Sequence, residues 1–108
     1  MTKLNVNFNY NAWDEYLEWK KEDKKTSKKI DSLIKDCQRH PFTGKGKPEP
    51  LKANLSGAWS RQINHKDRMV YSVTATELQI WQLKYHYSKK KILDKNVGDF
   101  FIFLNKLF

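Results

Sequence analysis

The chain reads as an α+β protein with elements in the order β-α-α-β-β-β and a short C-terminal tail helix. Three observations predict this. Leu4, Val6 and Phe8 alternate with asparagines at the start, the period of a half-buried strand. Two stretches with apolar residues three and four apart follow, the period of amphipathic helices. Three β-rich runs separated by short polar turns come next, the pattern of an antiparallel meander. An N-terminal strand thus precedes an antiparallel helical hairpin, and the hairpin covers one face of a mainly antiparallel sheet.

Each element has its own local justification. Asn11 stands where an N-cap belongs, with Asp14 in the first turn, and Trp13, Tyr16 and Leu17 form the apolar stripe of the first helix. Polar residues from Lys20 to Lys25 interrupt the pattern. Asp23 can cap a second helix, whose stripe is Ile30, Leu33, Ile34 and Cys37. Pro41 stops it, because the residue before a proline disfavours helix. Thr43 to Pro50, with two glycines and two prolines, is a loop. Strands are expected at Trp59–Ile63, Arg68–Val73 and Leu78–Tyr87, with polar turns at Asn64–Asp67 and Thr74–Glu77. After the basic break Ser88-Lys89-Lys90-Lys91, Val97, Phe100, Phe101, Leu104 and Leu107 recur at helical spacing. That stripe is expected to dock on the body or on a second copy, since exposing so much phenylalanine is costly. Residues 1–87 form the domain, and 88–108 a basic and aromatic extension rather than a second domain.

Composition narrows the function. The chain has 108 residues, enough for one core. Its 21 Lys and Arg against 12 Asp and Glu give a net charge of +9, which favours polyanions or acidic proteins as partners. Cys37 is the only cysteine, so no intrachain disulfide is possible, and its place in the helical stripe makes it a core residue. The N-terminus lacks the apolar run of a signal peptide, and no stretch has the length of a membrane span. A cytoplasmic protein without a membrane partner is the expectation.

The residues that could carry chemistry are few. Glu49 lies between Pro48 and Pro50, in an extended backbone, with Lys45, Lys47 and Lys52 close in sequence to favour its ionised form and, as candidate RNA-binding cations, to contact phosphates. His86 ends the last expected strand, and a histidine there can give and regain a proton near neutrality. Arg61 and Arg68 supply guanidinium forks that match phosphate oxygens. These are the parts of RNA cleavage without a metal. A base takes the 2′-hydroxyl proton, an acid protonates the leaving 5′-oxygen, and cations stabilise the phosphoryl oxygens. If the last two strands pair as a hairpin, Arg68 and His86 share one rim of the sheet. Duller readings stand beside each residue: a solvated loop glutamate, a structural histidine, sheet-edge cations that discourage aggregation. Trp59 and Tyr85 are either base platforms or core, Tyr87 is a candidate platform, and Trp81 is core. His40 and His65 read as surface residues. No Cys or His pairs stand at metal-ligand spacing and no Gly-rich phosphate loop precedes a helix, so no metal or cofactor is expected.

Several motifs together resemble one family. They are Trp13-Asp14 with Tyr16, Leu17 and Trp19; Lys28-Lys29-Ile30; Leu33-Ile34-Lys35-Asp36; Pro41-Phe42; the loop Gly44-Lys45-Gly46-Lys47-Pro48-Glu49-Pro50-Leu51-Lys52; Asn54-Leu55-Ser56-Gly57; and Tyr85-His86-Tyr87. This set resembles the YoeB branch of the RelE/ParE superfamily of bacterial toxins, over about Trp13 to Tyr87. The resemblance implies a RelE-like fold and a ribosome-dependent endoribonuclease that cuts mRNA in the 30S A site and so inhibits translation. It also implies a homodimer, neutralisation by a YefM-type antitoxin, and repression of operator DNA by the complex. By position, Glu49 matches the family base, His86 the acid, Arg68 the transition-state arginine, Tyr87 the terminal tyrosine and Lys52 a phosphate-side lysine. Arg61 matches the first of two adjacent basic positions. The second is Gln62 here, which removes one cation. The family's chains finish near the His-Tyr pair, whereas this one continues to Phe108. The alternatives are a catalytically weak basic module that grips antitoxin, ribosome or nucleic acid, and a ParE-like gyrase poison, which needs no proton-transfer couple.

Overall fold

A five-stranded sheet in the order β1-β5-β4-β3-β2 forms the frame of the computed structural model, which describes residues 3–85. The strands are β1 (Asn5–Phe8), β2 (Glu49–Pro50), β3 (Trp59–Gln62), β4 (Arg68–Val73) and β5 (Glu77–Gln82). Strands β2 to β5 pair antiparallel, while β1 pairs parallel to β5. Helices α1 (Tyr10–Glu22) and α2 (Lys24–Arg39) join β1 to the rest. The expected α+β order is therefore present, with one addition. Glu49 and Pro50 form a two-residue edge strand on β3 inside what the sequence marks as loop.

The main core lies between α2 and the sheet. Ile30, Leu33, Ile34 and Cys37 pack against Ile63, Met69, Tyr71, Leu78, Ile80 and Leu83. Asp23 caps α2 as expected, its side chain accepting from the Thr26 amide. Helix α1 differs from expectation in two ways. Its cap is Asn9 rather than Asn11, with Asn9 Oδ1 accepting from Ala12 N at 2.8 Å. Its inward face is Ala12 and Glu15, flanked by the partly buried Tyr16 and Trp19. Trp13 and Leu17, expected in the buried stripe, are 45% and 44% exposed. The register is set by polar contacts. Glu15 reaches the amides that follow β5, and the Trp19 indole donates to the Leu83 carbonyl at 2.8 Å.

On the opposite side of the sheet, Leu51, Leu55, Ala58, Val70 and Trp81 form a smaller apolar cluster. Trp81 is core, as expected, and its indole donates to Ser72 Oγ at 2.9 Å. Strand β5 stops at Gln82, short of the expected Tyr87, because the backbone turns at Leu83–Tyr85 and Tyr85 takes φ +68°. His86, Tyr87 and the expected tail helix lie outside the described residues.

Candidate active site

The loop from His40 to Pro48 is built around one buried guanidinium. Arg61 is fully buried, and each of its five N–H donors has an acceptor. Nε donates to the Tyr71 hydroxyl at 3.2 Å. Nη1 donates to Asp36 Oδ2 at 2.7 Å and to the Lys45 carbonyl at 2.9 Å. Nη2 donates to the carbonyls of His40 and Thr43. The Tyr71 hydroxyl in turn donates a hydrogen bond to the Pro41 carbonyl at 2.6 Å. The loop carbonyls thus converge on a charge that the core holds in place. This requires the chain to pass very close to α2. At Gly44 (φ +107°) a Cβ would lie 2.2 Å from Asp36 Oδ2, and Gly46 (φ +81°) sits against Leu33 and Arg61. The glycines of the Gly-Lys-Gly-Lys segment are there for this wrapping.

Arg61 is therefore not a phosphate ligand: every donor is spent inside the protein. The expectation fails through strand parity. Arg61 pairs with Met69 in β4, so it shares the helix-covered face with Met69 and Tyr71. Burial pushes the Asp36 carboxyl up, but hydrogen bonds from Arg61 and the Lys45 amide outweigh it and hold the group below its ordinary range. Burial also pushes the Cys37 thiol up, to about 11, consistent with a packing residue rather than a nucleophile.

The open face of the sheet is different. Glu49 pairs with Ser60, Ser60 with Val70, and Gln62 with Arg68, so all five project from the face away from the helices. Glu49 is exposed. The backbones of Glu49 and Arg68 are two strand spacings apart and two residues offset, about 12 Å by standard sheet dimensions. Arg68 is half-buried, and only its Nη1 is committed, to the carbonyls of Asn64, His65 and Asp67. Its Nε and Nη2 have no hydrogen-bond partner among the described residues, so the fork retains donors for an anion.

Three side chains that sequence reasoning missed fix the segment leading to position 86. Glu15 Oε1 accepts from Leu83 N at 2.7 Å and Lys84 N at 3.2 Å. Asp67 Oδ1 accepts from Tyr85 N at 2.6 Å. Gln82 Nε2 donates to the Tyr85 carbonyl at 3.0 Å, which also receives the Arg68 amide at 3.0 Å. Tyr85 is thereby fastened beside Arg68, one peptide ahead of His86. Glu15 carried no such signal in sequence, because the Trp13, Tyr16 and Leu17 stripe puts it on the outer side of the helix; buried, its carboxylate needs donors, and the strand-end amides supply them.

The lysines divide. Lys45 donates from Nζ to Ser32 Oγ on α2 at 2.9 Å, which turns it to the helix side of the loop. Lys47 is exposed, takes φ +52° and immediately precedes Pro48-Glu49. Lys52 is exposed and leads into the 3₁₀ turn Ala53–Leu55. Trp59 joins the rim of the main core and packs against Phe42, the two rings tilted by 40° with centroids 4.7 Å apart. No group of three His, Cys, Asp or Glu side chains is placed to hold a metal among the described residues, and no helix there is long and apolar enough to cross a membrane.

Comparison with known proteins gives consistent matches. A family model described as a YoeB-like toxin of the bacterial type II toxin–antitoxin system matches residues 8–87. Toxin YoeB of Escherichia coli K12 is 58% identical over 76 residues, covering 70% of this chain and 90% of that protein. A YoeB dimer from Staphylococcus aureus superposes with a TM-score of 0.74 at 44% identity, covering 80% of this chain and all of that one. The YoeB–YefM complex from the same organism gives 0.72 at 42% identity over the same shares.

Proposed function

Because the chain belongs to the YoeB-like toxins of bacterial type II toxin–antitoxin systems, we propose that it is a ribosome-dependent endoribonuclease that cuts mRNA by 2′-hydroxyl attack. One observation carries this reading: Glu49 and a guanidinium with donors to spare stand on the same open face, and the chain is fastened at Tyr85 beside that guanidinium just before His86. Glu49 takes the 2′-hydroxyl proton, and the freed oxygen attacks phosphorus. His86 gives a proton to the departing 5′-oxygen. Arg68, with Lys52 and Lys47, stabilises the charge on the phosphoryl oxygens, and Tyr87 assists the same reaction. The products carry a 2′,3′-cyclic or 3′-phosphate and a 5′-hydroxyl.

The expected partners follow from the same reading. They are a YefM-type antitoxin, a second copy of the chain, the ribosome in the cytoplasm, and operator DNA through the antitoxin complex. YoeB–YefM and YoeB dimer structures at above 40% identity support the first two. Residues 1–87 constitute the toxin domain and 88–108 an extension of it.

The test is cleavage of mRNA on programmed ribosomes by Glu49→Gln, His86→Gln and Arg68→Ala. Each proton-transfer variant should lose on the order of 10²–10⁴-fold in rate. Parent-like cleavage by all three would refute the mechanism.

A further inference from the structure

Helix α2 carries a line of charge that the proposed cutting mechanism does not use. Between Lys24 and Arg39 it has six cations and two carboxylates. Its apolar residues, Ile30, Leu33, Ile34 and Cys37, are all buried. Lys24, Lys28, Lys35 and Arg39 lie along the opposite, outer side, at offsets of four, seven and four residues, and all four are exposed. At the rise of an α-helix they form a straight row about 22 Å long. Neither carboxylate neutralises the row. Asp31 accepts the Tyr16 hydroxyl at 2.8 Å on one flank, and Asp36 is held by Arg61 at 2.7 Å on the other. None of the four cations takes part in a salt bridge among the described residues. Beside the row, a concavity of about 490 Å³ is lined by Lys28, Lys35, Arg39 and Lys45 together with Ser32, Asp31 and Asp36, the two carboxylates being engaged with Tyr16 and Arg61. A second, of about 510 Å³, runs from Lys29 past Lys45 to Lys47, two residues before Glu49.

We propose that this face of α2 binds the phosphate backbone of base-paired RNA, as a contact separate from the cutting site on the other side of the sheet. Its composition selects the partner. A protein-binding face needs apolar or aromatic anchors within the cations, and the row has none; the exposed anchors Tyr10, Trp13 and Leu17 are on α1 instead. Single-stranded RNA is gripped by stacking on aromatic side chains, and the row again offers none. A straight, rigid row of point charges matches a rigid double helix, whose recognition in RNA rests on shape and backbone. The choice of RNA over DNA rests on the nuclease reading above. Lys45 and Lys47 carry the positive track around the sheet edge, so RNA held on α2 lies next to the strand that Glu49 acts on.

The experiment uses the full chain with Glu49→Gln, so that RNA is bound and not cut. Binding to a 20-base-pair RNA duplex, a DNA duplex of the same sequence and a purified YefM-type antitoxin is measured over a salt series. The Lys28→Gln/Lys35→Gln/Arg39→Gln variant should bind the RNA duplex at least ~10-fold more weakly at low salt, with the slope of log K against log salt reduced by about one per contact removed. The corresponding Lys→Arg variant should restore binding, and unchanged thermal stability confirms folding. Duplex binding is read in the uncut Glu49→Gln background and cleavage by Arg68→Ala in a separate assay, so a failure of the nuclease mechanism and a failure of this surface are told apart. Unchanged RNA affinity in the Gln variant, equal losses for the RNA and DNA duplexes, or loss confined to the antitoxin would each overturn the proposal.

Discussion

The two faces of the sheet use arginine in opposite ways. On the helix-covered face, Arg61 is fully buried and all its donors are taken by Tyr71, Asp36 and three loop carbonyls. On the open face, Arg68 spends Nη1 on the adjacent turn, and its Nε and Nη2 have no hydrogen-bond partner among the described residues. A guanidinium satisfied inside the protein is a structural pin; one left half-satisfied at a rim is available to a ligand. The pin also serves the rim, because the loop it secures runs directly into β2, where Glu49 sits.

The contrast can be broken most forcefully at Arg61. Arg61→Leu removes the buried partner of Asp36 and leaves loop carbonyls without donors, a change worth about 3–5 kcal/mol. Thermal denaturation should show a drop of more than ~10 °C, with cleavage lost because the loop is no longer held. Arg68→Ala should do the reverse. Its stability should stay within about 1 kcal/mol of the parent, since only Nη1 has partners. Cleavage on programmed ribosomes should fall on the order of 10²–10³-fold, the cost of losing one preorganised charge donor. If both variants melt normally and lose activity equally, the distinction between pin and ligand is wrong.

Gly44→Ala sharpens the same point from the loop side. A Cβ there would meet the Asp36 carboxylate at 2.2 Å, at a φ of +107° that L-residues rarely adopt. A loss of about 1–2 kcal/mol is expected from the backbone alone. Activity should fall with it, through displacement of Glu49. A variant with parent-like melting and rate would show that the loop does not depend on its wrapping.

The frame was legible in the sequence because periodicity and turns carry it. Ile30, Leu33, Ile34 and Cys37 fall on one helical face, and Arg68–Val73 is a strand with the bounds its pattern predicts. Helix α1 was misread because its buried side is set by long-range polar contacts of Glu15 and Trp19 with residues after β5, which hydropathy does not register. The edge strand at Glu49–Pro50 was too short and too proline-rich to register as one. Glu49 and Arg68 stood out as charges beside turns and prolines. Arg61 looked the same by residue type, yet parity separates them: Ser60 and Gln62 face the open side, so Arg61 between them faces the core with Met69 and Tyr71. That alternation was in the sequence, and reading it would have moved Arg61 from the ligand set to the core. It also puts Gln62 beside Arg68 on the open face.

The smallest expected effect concerns acid. Asp36 is held below its ordinary range in the folded chain because the hydrogen bond from Arg61 and the other favourable contacts exceed the cost of partial burial. A carboxylate whose folded value is depressed contributes stability above its unfolded value, about 3.9, and loses it as pH falls through the folded value. The melting temperature of the parent should therefore exceed that of Asp36→Asn at pH 6, and the gap should shrink steadily as pH drops below about 4. The comparison is a difference between two chains, so the other carboxylates, including the capping Asp23, cancel. A gap that stays constant down to pH 2.5 would mean that the Arg61 network holds the loop without the charge of Asp36, and that the loop carbonyls alone secure the pin.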